Sequence, residues 1–95
     1  MAVLRFTPAA LGDLERLATF LQEADPVAAE QTFPPIMDAL RLLSTHPLIA
    51  RPIDASRREL VIFRGRTGYV AQYSFRPVQD EVVVLAIRHQ RELDA

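Results

Sequence analysis

A histidine and a group of arginines in the second half of the chain are the side chains best suited to binding or catalysis. Histidine titrates near neutral pH and is the usual general base, and His89 has arginines at positions 88 and 91 as neighbours. A lone histidine without an orienting partner is weak evidence for catalysis, so a strand-end His89 bonded to backbone is the favoured interpretation. Five candidate target-binding residues follow: Arg58, Arg64, Arg66, His89 and Arg91.

Three of these arginines also have a structural explanation. Arg58 and Glu59 open a predicted strand and therefore point to opposite faces of it. Arg58 suits a phosphate or a carboxylate of a partner, or a surface ion pair worth about 0–1 kcal/mol. Arg64 and Arg66 flank Gly65 at a predicted hairpin tip, where a solvated turn is the simpler interpretation.

Several kinds of site are not predicted by this sequence. The chain has no cysteine, and no His, Asp and Glu residues have metal-ligand spacing, so neither a metal nor a cofactor is expected. His46 precedes Pro47 at a predicted helix end and is interpreted as structural. The segment 65–68 lacks the long glycine-rich run and the Lys-Ser/Thr pair of a phosphate loop. No catalytic residue is assigned.

Composition indicates one small globular domain spanning residues 1–95, with 49% hydrophobic and 24% charged residues. The net charge is −1 and all eleven basic residues are arginine, so direct binding to nucleic acid is not expected. The longest apolar run, Val82–Ile87, is too short to span a bilayer, and no secretory pattern opens the chain. We expect a cytoplasmic protein without membrane association.

The first half predicts a short strand followed by two helices. Ala2–Phe6 is β-like, and Thr7-Pro8 and Asp25-Pro26 each pair an N-capping residue with a proline at the first helical position. The first helix carries an apolar stripe and places Asp13 among polar residues mostly on its other side. In the second helix, which runs toward Thr45, Pro34-Pro35 predicts a kink or a break near Thr32–Phe33. The predicted core stripe of this helix is Phe33, Ile36, Leu40 and Leu43.

The second half predicts an irregular connection and a three-stranded meander. The connection covers His46–Ser56, and the aromatic face of the middle strand is interpreted as core under a helix. The last strand is apolar at nearly every residue and is expected to lie centrally, beside the N-terminal strand. The predicted strands are Arg58–Phe63, Tyr69–Phe75 and Glu81–Arg88. The fold class is therefore α+β, of order β-α-α-β-β-β, with a helical hairpin packed on one face of a small antiparallel sheet.

The whole chain resembles the RelE/ParE toxin superfamily of bacterial type II toxin–antitoxin systems. The order and spacing of short fragments carry this resemblance. They are Phe6–Ala10 with Asp13-Leu14, Asp25-Pro26, His46-Pro47, Arg58–Leu60, Gly68-Tyr69 with Tyr73, and Val82–Arg91.

The resemblance favours the ParE branch over the RelE branch of this superfamily. RelE-like nucleases commonly carry a Lys pair and an Arg, which align here with Val61, Phe63 and Val70. Without those charges, phosphodiester cleavage loses several kcal/mol of electrostatic stabilisation. The resemblance therefore implies a non-enzymatic inhibitor of DNA gyrase, neutralised by a ParD-like antitoxin. The alternatives are a ribosome-dependent mRNA endonuclease and a non-toxic remnant that still binds antitoxin.

Overall fold

The computed structural model describes residues 1–63 and 68–89 and confirms the α+β class with the predicted order of elements. One element is added, since a two-residue strand lies in the connection that was expected to be irregular throughout. The elements are β1 Val3–Phe6, α1 Pro8–Ala24, α2 Pro26–Thr45, β2 Arg51–Pro52, β3 Arg58–Ile62, β4 Tyr69–Arg76 and β5 Glu81–His89.

Both helices begin at the residues that the sequence indicates. The Thr7 hydroxyl accepts a hydrogen bond from the Ala10 N–H at 3.1 Å, and the Asp25 carboxylate accepts from the Val27 N–H at 3.0 Å. These bonds satisfy backbone donors that a helix leaves unpaired in its first turn. Asp25 also ends α1 through its own N–H, which donates to the Leu21 carbonyl. A single residue thus joins the two helices and folds them into a hairpin.

Of the kink or break expected near Thr32–Phe33, the break is wrong, because α2 runs through Pro34 and Pro35 without interruption. A proline inside a helix costs about 3 kcal/mol or more, partly by leaving the carbonyl four residues earlier without its donor. Those carbonyls belong to Glu30 and Gln31, which are exposed and therefore accessible to water. Immediately beyond the prolines, Ile36 is completely buried. Burial of Ile36 on the core side of α2 thus offsets the cost of the unpaired carbonyls on its solvent-exposed side.

The sheet has the strand order β1-β5-β4-β3-β2, so the N-terminal strand lies beside the last one as predicted. β1 runs parallel to β5, whereas the other neighbouring strands are antiparallel, so the sheet is mixed and not wholly antiparallel as expected. The β1 pairing ends where Phe6 meets Val84. The last part of β5 therefore extends beyond its parallel neighbour.

An extra residue in β5 changes which of its side chains face the helices. Gln72 pairs with Ala86, but the next residue of β4, Tyr73, pairs with Val84, so Leu85 is left over as a β-bulge. A one-residue slip moves the following side chains to the opposite face. Thr7 holds the bulge in place through two hydrogen bonds to β5. Its N–H donates to the Val84 carbonyl at 3.0 Å, and its hydroxyl donates to the Leu85 carbonyl at 3.2 Å.

The core lies between the two helices and the sheet. Leu40 and Leu43 of α2 are completely buried, as the predicted stripe requires, and so is Tyr73 of β4. The aromatic face of β4 is therefore core, in agreement with the sequence interpretation. Tyr73 also carries a polar link, because its hydroxyl donates to the Pro47 carbonyl at 2.8 Å and accepts from the Ala50 N–H at 3.4 Å.

Replacing Leu40 with Asp is expected to unfold the domain. The substitution places an unpaired charge at a position with no solvent exposure, which costs several kcal/mol out of a total stability of about 5–15 kcal/mol. Leu42→Asp is the matched control, because Leu42 lies on the same helix and is 42% exposed. Circular dichroism melting should show a lost transition for Leu40→Asp alone; a normal melt would refute the core position.

Alkaline pH is expected to destabilise the fold through its two tyrosines. Burial raises the pKa of both Tyr69 and Tyr73 above the ordinary value of 10.0. A raised folded-state pKa contributes stability that is complete below about pH 10 and is lost as the pH rises through the folded value. Because the chain has two Tyr and no Trp, tyrosinate absorbance reports this directly. Native protein that ionises at the ordinary pKa would contradict the prediction.

Candidate functional site

A cleft of about 350 Å³ lies between α1 and the adjoining ends of β4 and β5. We call it the α1–β5 cleft. Its walls combine apolar and cationic side chains. The residues that determine its chemistry are Arg16, Leu17 and Phe20 from α1 and Tyr69, Arg88 and His89 from the sheet.

Asp13 supports this cleft, and its position corrects the sequence analysis, which placed it on the polar side of α1. The residue is only 5% exposed. Its carboxylate accepts the Ile87 N–H at 2.9 Å and the Arg88 guanidinium at 2.8 Å. Since β1 pairs with β5 only as far as Val84, a helix side chain supplies the acceptor that a neighbouring strand would otherwise provide.

The spacing of α1 contained a signal for this burial. Position 13 follows Ala10 by three residues and precedes Leu17 by four, so it lies on the same helix face as these residues. A polar residue within an apolar stripe indicates a buried hydrogen-bonding role. Its hydrogen-bond partner on β5, the Ile87 N–H, depends on the tertiary fold.

Two arginines share the Asp13 carboxylate. Arg16 makes a charged hydrogen bond with it from the next turn of α1, and Arg88 reaches it from β5. The Asp13 side chain is 3% exposed, whereas those of Arg16 and Arg88 are 69% and 40% exposed. Charge-assisted bonds of this kind are stronger than neutral ones. Two cations held by one anion leave the mouth of the cleft positively charged.

His89 also lines this cleft. Its ring meets Tyr69 edge to face, with ring centroids 5.2 Å apart and an interplanar angle of 88°. Tyr69 is its cross-strand partner on β4 and belongs to the core. The bulge at Leu85 therefore directs His89 toward α1, where it joins Arg16 and Arg88.

The five candidate residues named from the sequence have different positions. His89 belongs to the α1–β5 cleft, whereas the Arg58 guanidinium donates to the Leu48 and Ala50 carbonyls at 3.2 and 2.7 Å. The structure thus does not bring Arg58 and His89 together. Arg64, Arg66 and Arg91 lie outside the described residues, and their role stays a prediction. The sequence analysis did not include Arg16 or Asp13 among its candidates.

The positions aligned with nuclease charges form an apolar row. Val61 and Val70 face each other across β3 and β4. They alternate with core residues of their strands and so lie on the sheet face away from the helices. Val70 is 3% exposed and Val61 is 36% exposed. Phe63, the third position, is exposed and has a positive φ of 61°.

Two other kinds of site were considered in the part of the chain that the structure describes. No group of three or more His, Asp or Glu side chains there is placed to hold a metal ion. None of its helices has the length and apolar character needed to cross a membrane.

The comparison with protein families agrees with this architecture. Residues 4–94 match the family model for the ParE toxin of the type II toxin–antitoxin system parDE. The chain belongs to this ParE toxin family. The resemblance to the RelE/ParE superfamily is thereby confirmed, and the chain is a type II toxin by family.

A curated relative and two solved structures cover nearly the whole chain. Toxin RelE3 of Caulobacter vibrioides is 34% identical over 92 residues, 97% of this chain and 98% of its own. The structure of a chromosomal ParDE system from P. aeruginosa matches with a TM-score of 0.74 at 19% identity, covering 94% and 96% of the two chains. A metal-bound toxin from Helicobacter pylori matches with a TM-score of 0.56 at 11% identity, covering 98% and 99%. The two structures support the fold.

Removing the Asp13 carboxylate is expected to destabilise the chain far more than removing an exposed one. Asp13→Ala leaves the Ile87 N–H without its acceptor, which costs about 1–3 kcal/mol. Asp13→Asn should cost less, because its amide oxygen still accepts that bond. Asp38→Ala is the control, since Asp38 forms an exposed pair with Arg41 at 3.0 Å and should cost about 0.5 kcal/mol or less.

Urea unfolding gives these free energies, and hydrogen exchange at the Ile87 amide gives the local effect. The amide should exchange faster in Asp13→Ala than in Asp38→Ala. Equal losses of stability in the two variants would show that Asp13 does not hold β5.

Proposed function

We propose that this chain is a toxin that inhibits DNA gyrase without catalysing a reaction, and that a ParD-like antitoxin neutralises it. The observation that carries the proposal is the apolar row of Val61 and Val70, together with membership of the ParE family. Gyrase acts on chromosomal DNA, so this function also implies a cytoplasmic location.

The valine row argues against phosphodiester cleavage on electrostatic grounds. Cleavage builds negative charge on the phosphate oxygens, and preorganised cations stabilise it by several kcal/mol. A valine that is 3% exposed and faces another valine offers no such charge. The nearest cation in register, Arg88, pairs with Val70 across the strands but is bound to Asp13.

Exposed apolar side chains support a protein partner. Leu48 and Ile49, which are adjacent in the chain, are 58% and 54% exposed. Such residues mark interaction surfaces when they lie together. An antitoxin segment that folds on binding would cover them.

A ribosome-dependent mRNA endonuclease is the second candidate. The name of the relative Toxin RelE3 favours it, and so does the cluster of Arg16, Arg88 and His89 in one cleft. Arginine and histidine are groups that can stabilise a phosphate or move a proton. This candidate requires a catalytic site other than the apolar row.

The target is tested by inducing the chain alone in bacteria and pulse-labelling DNA, RNA and protein synthesis. The proposal predicts that DNA synthesis stops first and that the purified chain blocks gyrase supercoiling. Protein synthesis stopping first, with cuts in ribosome-bound mRNA, would establish the second candidate instead. Growth without arrest would identify a non-toxic remnant.

Arg91→Ala is expected to weaken gyrase inhibition while leaving the fold intact. Loss of one charged contact to a partner changes affinity by roughly tenfold. Arg41→Ala is the control, because Arg41 pairs with Asp38 on the exposed surface of α2. The inhibitory concentration and the melting temperature are measured for both variants. Equal inhibition by the two would reject a role for Arg91 in target binding.

A further inference from the structure

A second cleft, of about 640 Å³, lies at the opposite end of β4. We call it the β2–β4 cleft. Tyr69 at the start of β4 lines the first cleft and Phe75 near its end lines the second. At about 3.3 Å per residue these positions are roughly 20 Å apart. Among the described residues the two clefts share no lining side chain.

The β2–β4 cleft has apolar walls and a cationic rim. Leu48, Pro52 and Phe75 supply apolar surface. The charged residues that line it are Asp54, Arg57, Arg58 and Arg76. Three arginines and one aspartate leave this region positive, although the whole chain has a net charge of −1.

The turn that carries this rim is held in place before any partner binds. The Asp54 carboxylate accepts the Ser56 N–H at 2.9 Å, the Arg57 N–H at 2.8 Å and the Arg57 guanidinium at 2.7 Å. These bonds lower the pKa of Asp54 to about 2, because they stabilise its carboxylate anion. The Ser74 hydroxyl donates to the Ser56 carbonyl and ties the turn to β4. A preordered rim loses little entropy on binding.

Apolar exposure continues from this cleft along the neighbouring chain. Ile49 follows Leu48 and is 54% exposed, Ile53 follows Pro52 and is 38% exposed, and Val78 follows Pro77 and is 93% exposed. Arg76 contributes a side chain that is 58% exposed, and its contact with Glu81 is long, at 3.7 Å. The occupant that fits carries carboxylates beside apolar side chains.

We propose that the β2–β4 cleft is the docking site for an extended antitoxin segment in which acidic residues alternate with apolar ones. This proposal rests on the proposed function, because it assigns a surface to the neutralising partner. The carboxylates of the segment meet Arg57 and Arg76, and its apolar side chains cover Leu48 and Phe75. Docking here leaves the α1–β5 cleft outside the contact.

The experiment uses the neutralising protein recovered by suppressing the growth arrest with a genomic library. Its dissociation constant with the purified full chain is measured by calorimetry. Arg76→Glu and Leu48→Asp should each weaken binding by roughly tenfold or more. The matched controls are Arg41→Glu and Val27→Asp, since Arg41 lies in an exposed ion pair and Val27 is 63% exposed. Both controls should bind within about twofold of the parent.

The possible results separate the two proposals. A chain that causes no arrest, or that no recovered protein neutralises, overturns the proposed function and the docking site with it. Arrest and neutralisation with unchanged affinity of Arg76→Glu and Leu48→Asp overturn the docking site alone. Equal weakening by the control variants also overturns it, because binding would then not be local to this cleft. Thermal melting of every variant identifies any loss of affinity caused by unfolding.

Discussion

The candidate site depends on how the chain satisfies the edge of β5 beyond its parallel neighbour. A strand edge in a partly buried cleft would leave backbone N–H groups without acceptors. β1 ends its pairing at Val84 and therefore supplies no acceptor for Ile87. The Asp13 carboxylate takes that position from α1. A buried carboxylate in turn requires cations, and Arg16 and Arg88 supply them. One backbone requirement thus accounts for both arginines at the mouth of the cleft.

The bulge at Leu85 is the second part of the same arrangement. Without the extra residue, strand alternation from Val82 and Val84 would place His89 on the sheet face away from the helices. With it, His89 stands against Tyr69 and opens into the cleft beside α1. The Thr7 hydroxyl bonds to the Leu85 carbonyl, so the residue that begins α1 also holds the bulge. Helix position and strand register are therefore coupled at one point.

Local chemistry explains how much of the fold the sequence predicts. Thr7 and Asp25 cap helices through bonds to residues two or three positions away, and the strands follow from apolar runs between turn residues. The bulge and the contact of Asp13 with Ile87 join positions far apart in the chain, so no local pattern encodes them. Pro34-Pro35 misled for the same reason, because the local penalty is clear whereas the buried contacts of Ile36 are tertiary.

The distribution of arginine gives the functional interpretation its physical basis. On the sheet face away from the helices, Val61 and Val70 form an apolar pair at positions that the family resemblance aligns with nuclease charges, while arginines line clefts at both ends of β4. Rim arginines with partly exposed side chains speed encounter with an acidic partner and select it, and apolar walls beside them supply the burial that makes the complex last. Both clefts thus combine the cationic and apolar groups that protein recognition uses. Because the clefts share no described side chain, a substitution in the lining of one leaves the lining residues of the other unchanged.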